Sequence, residues 1–480
     1  MNQGLLLTIL TRCSMRHNWP LYIILGLALV LRLTFAFSWH EVWWDSGVYI
    51  GMGKFIFSAG HSGLWEHIRP PLVPFVLGFF WSLGRDPVLF GRIFSILLSC
   101  GIVFLVYLIA RHWFEERTAL LASLIVALSP IVFYLSFHQY TEIPATFFAL
   151  LAVYLFIRER FLLSGLSAGL AFLSKFNAGI YVALILIVAL TEKKFKPALL
   201  VAVGFSILSI PYFAWSWFVY GSPFATLLAA SETINKVLGC NVLHGKQWWH
   251  YLWWIVFSET KLHFIAIIGF FILLKNWSRK WLLFALCLVI PLMYHMQLSC
   301  RDYRYLILFL PFVAMLTALG HIPFKIPKFL DKPNIKNTAI IIVFVILGAW
   351  MLYTTLLFYF GNERQTPNPV EEAYFAFLKE KPAGEVWTSN PIIAAHTDAK
   401  LEKIYYPIFD EGLLRDFYNY VSLHADRISY IFLDNCGGGI MCAPSQNCNT
   451  EQLQSLLDSK FKRVFDKQSG SCWYRIWTII

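Results

Sequence analysis

The sequence predicts a polytopic α-helical membrane protein of about eleven transmembrane helices, with interfacial helices in a long first external loop and a small C-terminal extracytoplasmic α/β domain. Three observations carry this. Of the 480 residues, 58% are hydrophobic and 14% charged, whereas a soluble chain carries about 25% charged residues. The apolar residues gather into runs near the length of about 20 that crosses a bilayer. The basic residues behind the net charge of +11 sit in short clusters between those runs. That is the arrangement of topology signals, not of a phosphate-binding face, so no nucleic-acid partner is expected.

Taken in order, the chain starts inside with Arg12 and Arg16, and the run 20–38 takes it out. That run carries Arg32 and leads straight into a polar window, so it reads as a retained anchor and not as a cleaved signal peptide. The loop 39–87 is then external. Its apolar piece 70–84, between Pro70-Pro71 and Gly84-Arg-Asp-Pro87, is too short to cross and reads as an interfacial helix. The span 88–110 returns to the basic stretch Arg111–Arg117, 118–136 exits, and 143–157 comes back to Arg158-Glu-Arg160. The run 161–190 is interrupted at Lys175-Phe-Asn177 and reads as two short helices meeting at the external face, which keeps Glu192-Lys-Lys-Phe-Lys196 inside; one tilted span is the alternative. After 197–219, a Trp-rich external loop, 220–261, is expected to hold interfacial helices. The spans 262–274 and 281–298 flank the basic Lys275–Lys280 loop, and 305–319 leads inward to Lys325, Lys328, Lys332 and Lys336. A last span, 338–360, delivers the tail outside. The expected organisation is a transmembrane catalytic unit, 1–364, and an extracytoplasmic domain, 365–480. The membrane is the plasma membrane, or the endoplasmic reticulum in a eukaryote, with the N-terminus cytoplasmic.

In the tail, helix-like stretches (369–381, 411–425, 450–460) alternate with strand-like ones (385–389, 428–434, 471–479), the pattern of a small α/β domain. Four of the nine cysteines, Cys436, Cys442, Cys448 and Cys472, crowd into it, which suggests one or two disulfides and an oxidising compartment with the pairing open. Their spacing is not that of a C-x-x-C zinc site. The turn Asn435-Cys-Gly-Gly-Gly439 lacks G-x-G-x-x-G and a following Lys-Ser/Thr, so it reads as a pinned turn and not as a phosphate loop.

The window 39–49 places Glu41 and Asp45 among Trp39, Trp43 and Trp44. A carboxylate walled by aromatics at a membrane boundary is partly desolvated and suited to take a proton; the alternative is an interfacial aromatic belt with a solvated acid. Ionisable groups in or beside apolar spans cost about 2.5–3.5 kcal/mol at a helix centre and are functional candidates by default. Here they are Arg32, Asp45, Arg69, Arg92, Glu142, Lys175, Arg301 and Arg304. Each also has a local reading: Arg32 and Arg92 snorkelling, Lys175 capping a helix C-terminus, Glu142 serving as a first-turn acid, Asp302 and Arg304 forming a local ion pair. As a set, two carboxylates and several cations on one side match what transfer from a lipid phosphate needs, a base for the incoming hydroxyl and counter-charge for the leaving phosphate.

Five motifs then follow in order: an acid in the first external loop, Arg69-Pro-Pro-Leu72, Ser129-Pro130 before Thr141-Glu-Ile-Pro144, Gly169-Leu-Ala-Phe-Leu-Ser-Lys175, and Arg301-Asp-Tyr-Arg-Tyr305 ahead of an apolar run with Pro311. Together they resemble the GT-C polytopic glycosyltransferases, family 39 branch, which includes protein O-mannosyltransferases and the lipid A aminoarabinose transferase. The resemblance covers about residues 20–320 and implies inverting transfer of a sugar from a polyprenyl-phosphate donor to an acceptor hydroxyl on the extracytoplasmic face. The acceptor class (lipid, glycan or protein) stays open. By position it implies Asp45 as the first-loop catalytic acid, Glu142 as the second-loop acid, and Arg69, Lys175, Arg301 and Arg304 near the donor phosphate. Tyr49, Trp44, His138 and Tyr303 are candidates for the substrate pocket. Where many relatives have Asp-Glu, this chain has Asp45-Ser46, which weakens the case for a metal clamped there; no cofactor is assigned, and a divalent ion (Mg, Mn or Zn) is left open. The competing reading is a flippase or transporter of lipid-linked sugar, whose expected symmetric halves are not visible in the sequence.

Overall fold

The computed structural model describes residues 19–236, 247–298, 301–321, 333–364, 366–379, 384–404, 411–435 and 450–479. The apolar runs fold as α1 (Trp19–Ala36), α2 (Trp44–Phe57), α3 (Leu72–Ser82), α4 (Pro87–Trp113), α5 (Glu116–Ala127), α6 (Pro130–Leu135), α7 (Glu142–Ile157), α8 (Phe161–Ser174), α9 (Ile180–Thr191), α10 (Phe195–Tyr220), α11 (Ala225–Lys236), α12 (His250–Trp254), α13 (Ala266–Lys275), α14 (Leu282–Gln297), α15 (Leu310–Gly320) and α16 (Pro333–Asn362). Five segments are long and apolar enough to cross a membrane by length and composition: Trp19–Ala36, Pro87–Trp113, Phe195–Tyr220, Arg279–Gln297 and Val345–Asn362. Shorter apolar helices fill the space between them. The protein is a multi-pass membrane protein.

Two breaks, one expected and one not, have identifiable causes. The run 161–190 is interrupted by Lys175, whose extended backbone (φ −155°, ψ 118°) separates α8 from a short turn of helix, Phe176–Gly179, and α9. The stretch 118–136, expected as one span, is instead two helices. Pro130 opens α6 and Ser129 caps it, accepting from the Val132 N–H at 3.3 Å. The buried Glu259 carboxylate reinforces this break, accepting from the Ser129 hydroxyl at 2.7 Å and the Ile131 N–H at 2.9 Å. A helix start otherwise leaves such N–H groups without partners in an apolar interior. Glu259 itself ends a π-helical turn, Ile255–Glu259, in the Trp-rich loop.

Past α16 the tail folds as α17 (Pro369–Phe375), β1 (Glu385–Thr388), β2 (Leu401–Lys403), α18 (Glu411–His424), β3 (Ile428–Asp434), α19 (Thr450–Lys460), β4 (Phe461–Ser469) and β5 (Cys472–Ile479). The sheet order is β2-β1-β3-β5-β4, parallel on the β2-β1-β3 side and antiparallel on the β3-β5-β4 side. Two strands escape the sequence reading. β2 is only three residues long, and β4 is an edge strand carrying Lys462, Arg463, Asp466 and Lys467, a charge-rich composition that suits an unpaired edge but hides a strand. Of the clustered cysteines only Cys472 is described; Cys436, Cys442 and Cys448 lie outside the described residues, as do Arg12, Arg16, Lys325, Lys328 and Lys332.

The tail does not stand apart from the segment between α1 and α4. Val48 and Met52 of α2 and Leu64 of the following loop share one apolar core with Tyr374, Val386, Ile393, Phe432 and Ile476. Backbone bonds join the two as well: Gly63 N–H donates to Ala399 O at 2.9 Å and Leu401 N–H to Gly63 O at 2.8 Å. At Gly47 the helix lies directly on the tail backbone, since a Cβ there would be 2.7 Å from both the Ile392 Cα and the Pro391 carbonyl. Gly47→Val should therefore overpack this seam, at a cost of about 1–3 kcal/mol, and lower the thermal midpoint of the purified protein. Gly26→Ala, where no atom lies within 4 Å of an added Cβ, should leave the midpoint unchanged.

Candidate active site

Asp45 sits in the first turn of α2, where a helix N-terminus favours an acid. Its two oxygens are held from opposite segments: Oδ1 by Arg69 Nη2 at 2.9 Å and Oδ2 by Arg304 Nη1 at 2.8 Å. Arg69 comes from the loop before α3 and Arg304 from the turn of helix Tyr303–Leu308 before α15. Beside them Glu142, in the first turn of α7, pairs with Lys175 Nζ at 2.8 Å. The break at Lys175 thus points a lysine across the bundle, and its side chain does not serve as a local C-terminal cap.

The side chains of Asp45, Arg69 and Arg304 are 19%, 22% and 17% exposed, so the cluster is largely desolvated yet open to a ligand. Each cation also rests on a tyrosine ring: Arg69 on Tyr49 at 5.7 Å, Arg304 on Tyr140 at 4.7 Å and Lys175 on Tyr305 at 4.6 Å. Such contacts favour a cation without neutralising it. Two further carboxylates complete the set. Glu66 Oε2 lies 3.2 Å from Arg69 Nε, and Asp302 Oδ2 lies 2.7 Å from Arg304 Nη2. Among the described residues, Asp45, Glu66, Glu142 and Asp302 therefore face Arg69, Lys175 and Arg304, with Lys403 close enough to Glu66 and Arg69 to interact with both.

Most of the expected site converges, and some of it does not. Tyr49 is buried under Arg69. The ring of Tyr303 stacks on Trp254 at 5.1 Å and 13°. Arg301 departs from expectation: its guanidinium donates to the Met296 carbonyl at 3.1 and 3.2 Å, which satisfies the end of α14. Trp44 packs against the core shared with the tail domain. His138 is buried, with Nε2 at 3.2 Å from Glu363 and its ring against Trp43 and Tyr140, so it supports the wall and does not line it. Glu41 pairs with Arg364 at 3.3 Å, away from the cluster. Nor do Arg32 and Arg92 snorkel. Arg32 is fully buried and donates to Ala28 O and Ala127 O, while Arg92 donates to Ala36 O, Ser38 O and Phe137 O; both tie backbone carbonyls inside the bundle.

Sequence reasoning missed Glu66 and Tyr140 as members of the site. Glu66 gave a weak signal three residues before Arg69, and Tyr140 none beyond its place next to Thr141-Glu142. Among the described residues no three His, Cys, Asp or Glu side chains come together as metal ligands, and both oxygens of Asp45 are occupied by guanidinium groups.

Burial alone would raise the Asp45 pKa, but Arg69 and Arg304 outweigh it and hold this carboxyl well below the usual range. An acid depressed in the native state stabilises the fold fully above its unfolded value, about 3.9, and loses that contribution as pH falls through the native value. The stability difference between wild type and Asp45→Asn should stay constant from neutral pH to about pH 4 and shrink only below it, measured as thermal midpoints across a pH series.

Residues 68–217, which include Arg69, Glu142 and Lys175, match the family model described as dolichyl-phosphate-mannose-protein mannosyltransferase. An uncharacterized protein of Aquifex aeolicus (strain VF5) is 25% identical over 374 residues, covering 73% of this chain and 82% of that protein. The fold is similar to that of ArnT from Cupriavidus metallidurans in its apo state, with a TM-score of 0.67 at 11% identity over 97% of this chain and 99% of that one. The same protein bound to undecaprenyl phosphate gives 0.64 at 12% identity, over 97% and 98% of the two chains. The archaeal oligosaccharyltransferase AglB from Archaeoglobus fulgidus, in complex with an inhibitory peptide and a dolichol-phosphate, gives 0.63 at 13% identity, over 87% of this chain and 69% of that one. The chain has the GT-C fold of polytopic glycosyltransferases and is related, over 68–217, to the dolichyl-phosphate-mannose-protein mannosyltransferases.

Proposed function

We propose that this protein transfers a sugar, with inversion, from a polyprenyl-phosphate donor to an acceptor hydroxyl on the extracytoplasmic face of the membrane. In this reading the chain crosses the membrane about eleven times with the N-terminus inside, residues 1–364 form the catalytic unit, and 365–480 form an external domain. The observation that carries the reading is the convergence of Asp45, Arg69 and Arg304 from three separate segments, with the Glu142–Lys175 pair beside them. Solved structures of the same fold that hold undecaprenyl phosphate or dolichol-phosphate support a lipid phosphate as the ligand.

The chemistry follows from charge. Every cation at the site is already paired with a carboxylate, so an incoming phosphate competes with Asp45 for Arg69 and Arg304. Guanidinium groups present five N–H donors in a fork that suits phosphate oxygens. As the phosphate draws them away, Asp45 loses the charges that depress its pKa and becomes a stronger base. The acceptor O–H then gives its proton to Asp45, the acceptor oxygen bonds to the anomeric carbon, and the bond from that carbon to the phosphate oxygen breaks. The lipid phosphate departs with the electron pair, stabilised by Arg69, Arg304 and Lys175. Glu142 keeps Lys175 in place and Asp302 keeps Arg304 in place. Donor binding and base activation are thus one event.

A correctly placed base contributes typically 10²–10⁴-fold, so Asp45→Asn should lower kcat by about that factor, while Lys175→Gln should chiefly raise KM for the donor. Purified protein in nanodiscs, given a radiolabelled polyprenyl-phosphate sugar and read by release of free lipid phosphate, measures both. Near-normal turnover by Asp45→Asn would remove the base assignment, and a donor left intact by wild type when solubilised host membranes are added as the source of acceptor hydroxyl would remove the transfer reaction.

A further inference from the structure

About nine residues along α2 from Asp45, roughly 14 Å at 1.5 Å per residue, lies a groove of about 980 Å³. It runs between the last turn of α2, the α3–α4 turn and the tail segment after Pro391–Ala395, with Lys54, Phe57, Trp81, Arg85, Lys379 and Asp398 on its walls. Its charges are unevenly committed. Lys54 pairs with Asp398 at 2.8 Å and donates to Thr397 O at 2.9 Å, and the Trp81 indole N–H donates to the same Asp398 oxygen at 3.0 Å. Asp86 caps α4, accepting from the Val88 N–H at 2.9 Å, and keeps its negative charge. His396 is pushed down to about 4, first by burial and then by Lys54, and is uncharged at neutral pH. That leaves Arg85 and Lys379, both exposed and on different walls, without an ion-pair partner among the described residues. With Lys54, Arg85 and Lys379 set against Asp86 and Asp398, the groove keeps one net positive charge.

The groove also adjoins an apolar face. Phe75, Phe79 and Leu83 of α3 and its C-terminal turn are 53%, 45% and 59% exposed, and Phe57 in the groove touches Phe75 and Phe79, with ring centroids 5.1 and 6.5 Å apart. A helix lying at the interface with such a face buries it among acyl chains. Aromatic floor, lipid-facing helix and unpaired cations meet at one edge.

We infer that this groove holds the phosphate headgroup of an anionic membrane lipid, with Arg85 and Lys379 as counter-charges and the acyl chains along Phe75, Phe79 and Leu83. The site is separate from the Asp45 cluster and does not depend on the transfer reaction. Because it is built from α2, α3 and the tail together, an occupying lipid braces the tail domain against the membrane surface.

The test uses the full chain in phosphatidylcholine nanodiscs containing spin-labelled phosphatidylglycerol or spin-labelled phosphatidylcholine, reading the immobilised fraction of each. Wild type should retain phosphatidylglycerol over phosphatidylcholine, and Arg85→Gln/Lys379→Gln should lower that preference by about tenfold or more, as expected for two cations near a membrane surface. The exposed pair Lys275→Gln/Arg279→Gln, in the α13–α14 turn, should leave it unchanged. An unaltered preference in the first double variant, or an equal loss in the second, overturns the inference. So does glycerophosphate displacing the labelled lipid at equal concentration, since the groove would then take a free phosphate and not a lipid.

Discussion

The carboxylate of Asp45, gripped between the guanidinium groups of Arg69 and Arg304, is the interaction around which the rest is arranged. It joins the start of α2 and the loop before α3, which are neighbours in the sequence, to the turn before α15, more than 200 residues away. Charges in such a place are costly unless paired, and here each one has a partner of opposite sign, with a tyrosine ring behind each cation. The pairing stabilises the empty site and also sets the terms for a ligand. An anion must exchange with an internal carboxylate, and the carboxylate it displaces is the one best placed to take a proton.

Placing Asp45 requires that α2 be held firmly, and the tail domain does much of this. One side of α2 lies in the core of the β-sheet domain, with Gly47 against the Pro391–Ile392 backbone. At its entry, the Glu41 N–H donates to Glu363 at 3.2 Å, and Glu363 also faces His138. His138 in turn packs on Tyr140, the ring beneath Arg304. A continuous set of contacts therefore runs from the end of α16 to both sides of the Asp45–Arg304 pair. The tail domain is thus a support for the acid and not an appendage.

Much of the outline was legible in the residues because hydrophobic runs and basic clusters report a membrane fold directly, and the cost of ionisable groups near spans marks eight candidates, of which Asp45, Arg69, Glu142, Lys175 and Arg304 come together while Arg32, Arg92 and Arg301 bind backbone carbonyls elsewhere. The break at Lys175 was visible for the same reason. What stayed hidden depends on contacts between distant segments. Nothing local in Ser129-Pro130 reveals that Glu259 caps the helix there, nor does Arg301 differ on paper from Arg304, although one satisfies the end of α14 and the other reaches Asp45. The apolar residues of α2 look like any interfacial helix until the sheet that covers them is known. The short β2 and the charged edge strand β4 carry too little alternation to be read as strands.

The most direct measurement is the affinity of sugar-free polyprenyl phosphate for wild type and for Asp45→Asn, by calorimetry on the purified full chain. If the phosphate and Asp45 compete for Arg69 and Arg304, removing the carboxylate's charge releases both guanidinium groups from Asp45 while Glu66 and Asp302 still hold them in place, and the Asn variant binds the lipid phosphate more tightly, by about tenfold for each 1.4 kcal/mol of competition relieved, even as it loses turnover. Equal or weaker binding by the variant would contradict the exchange and separate the acid from the donor's phosphate.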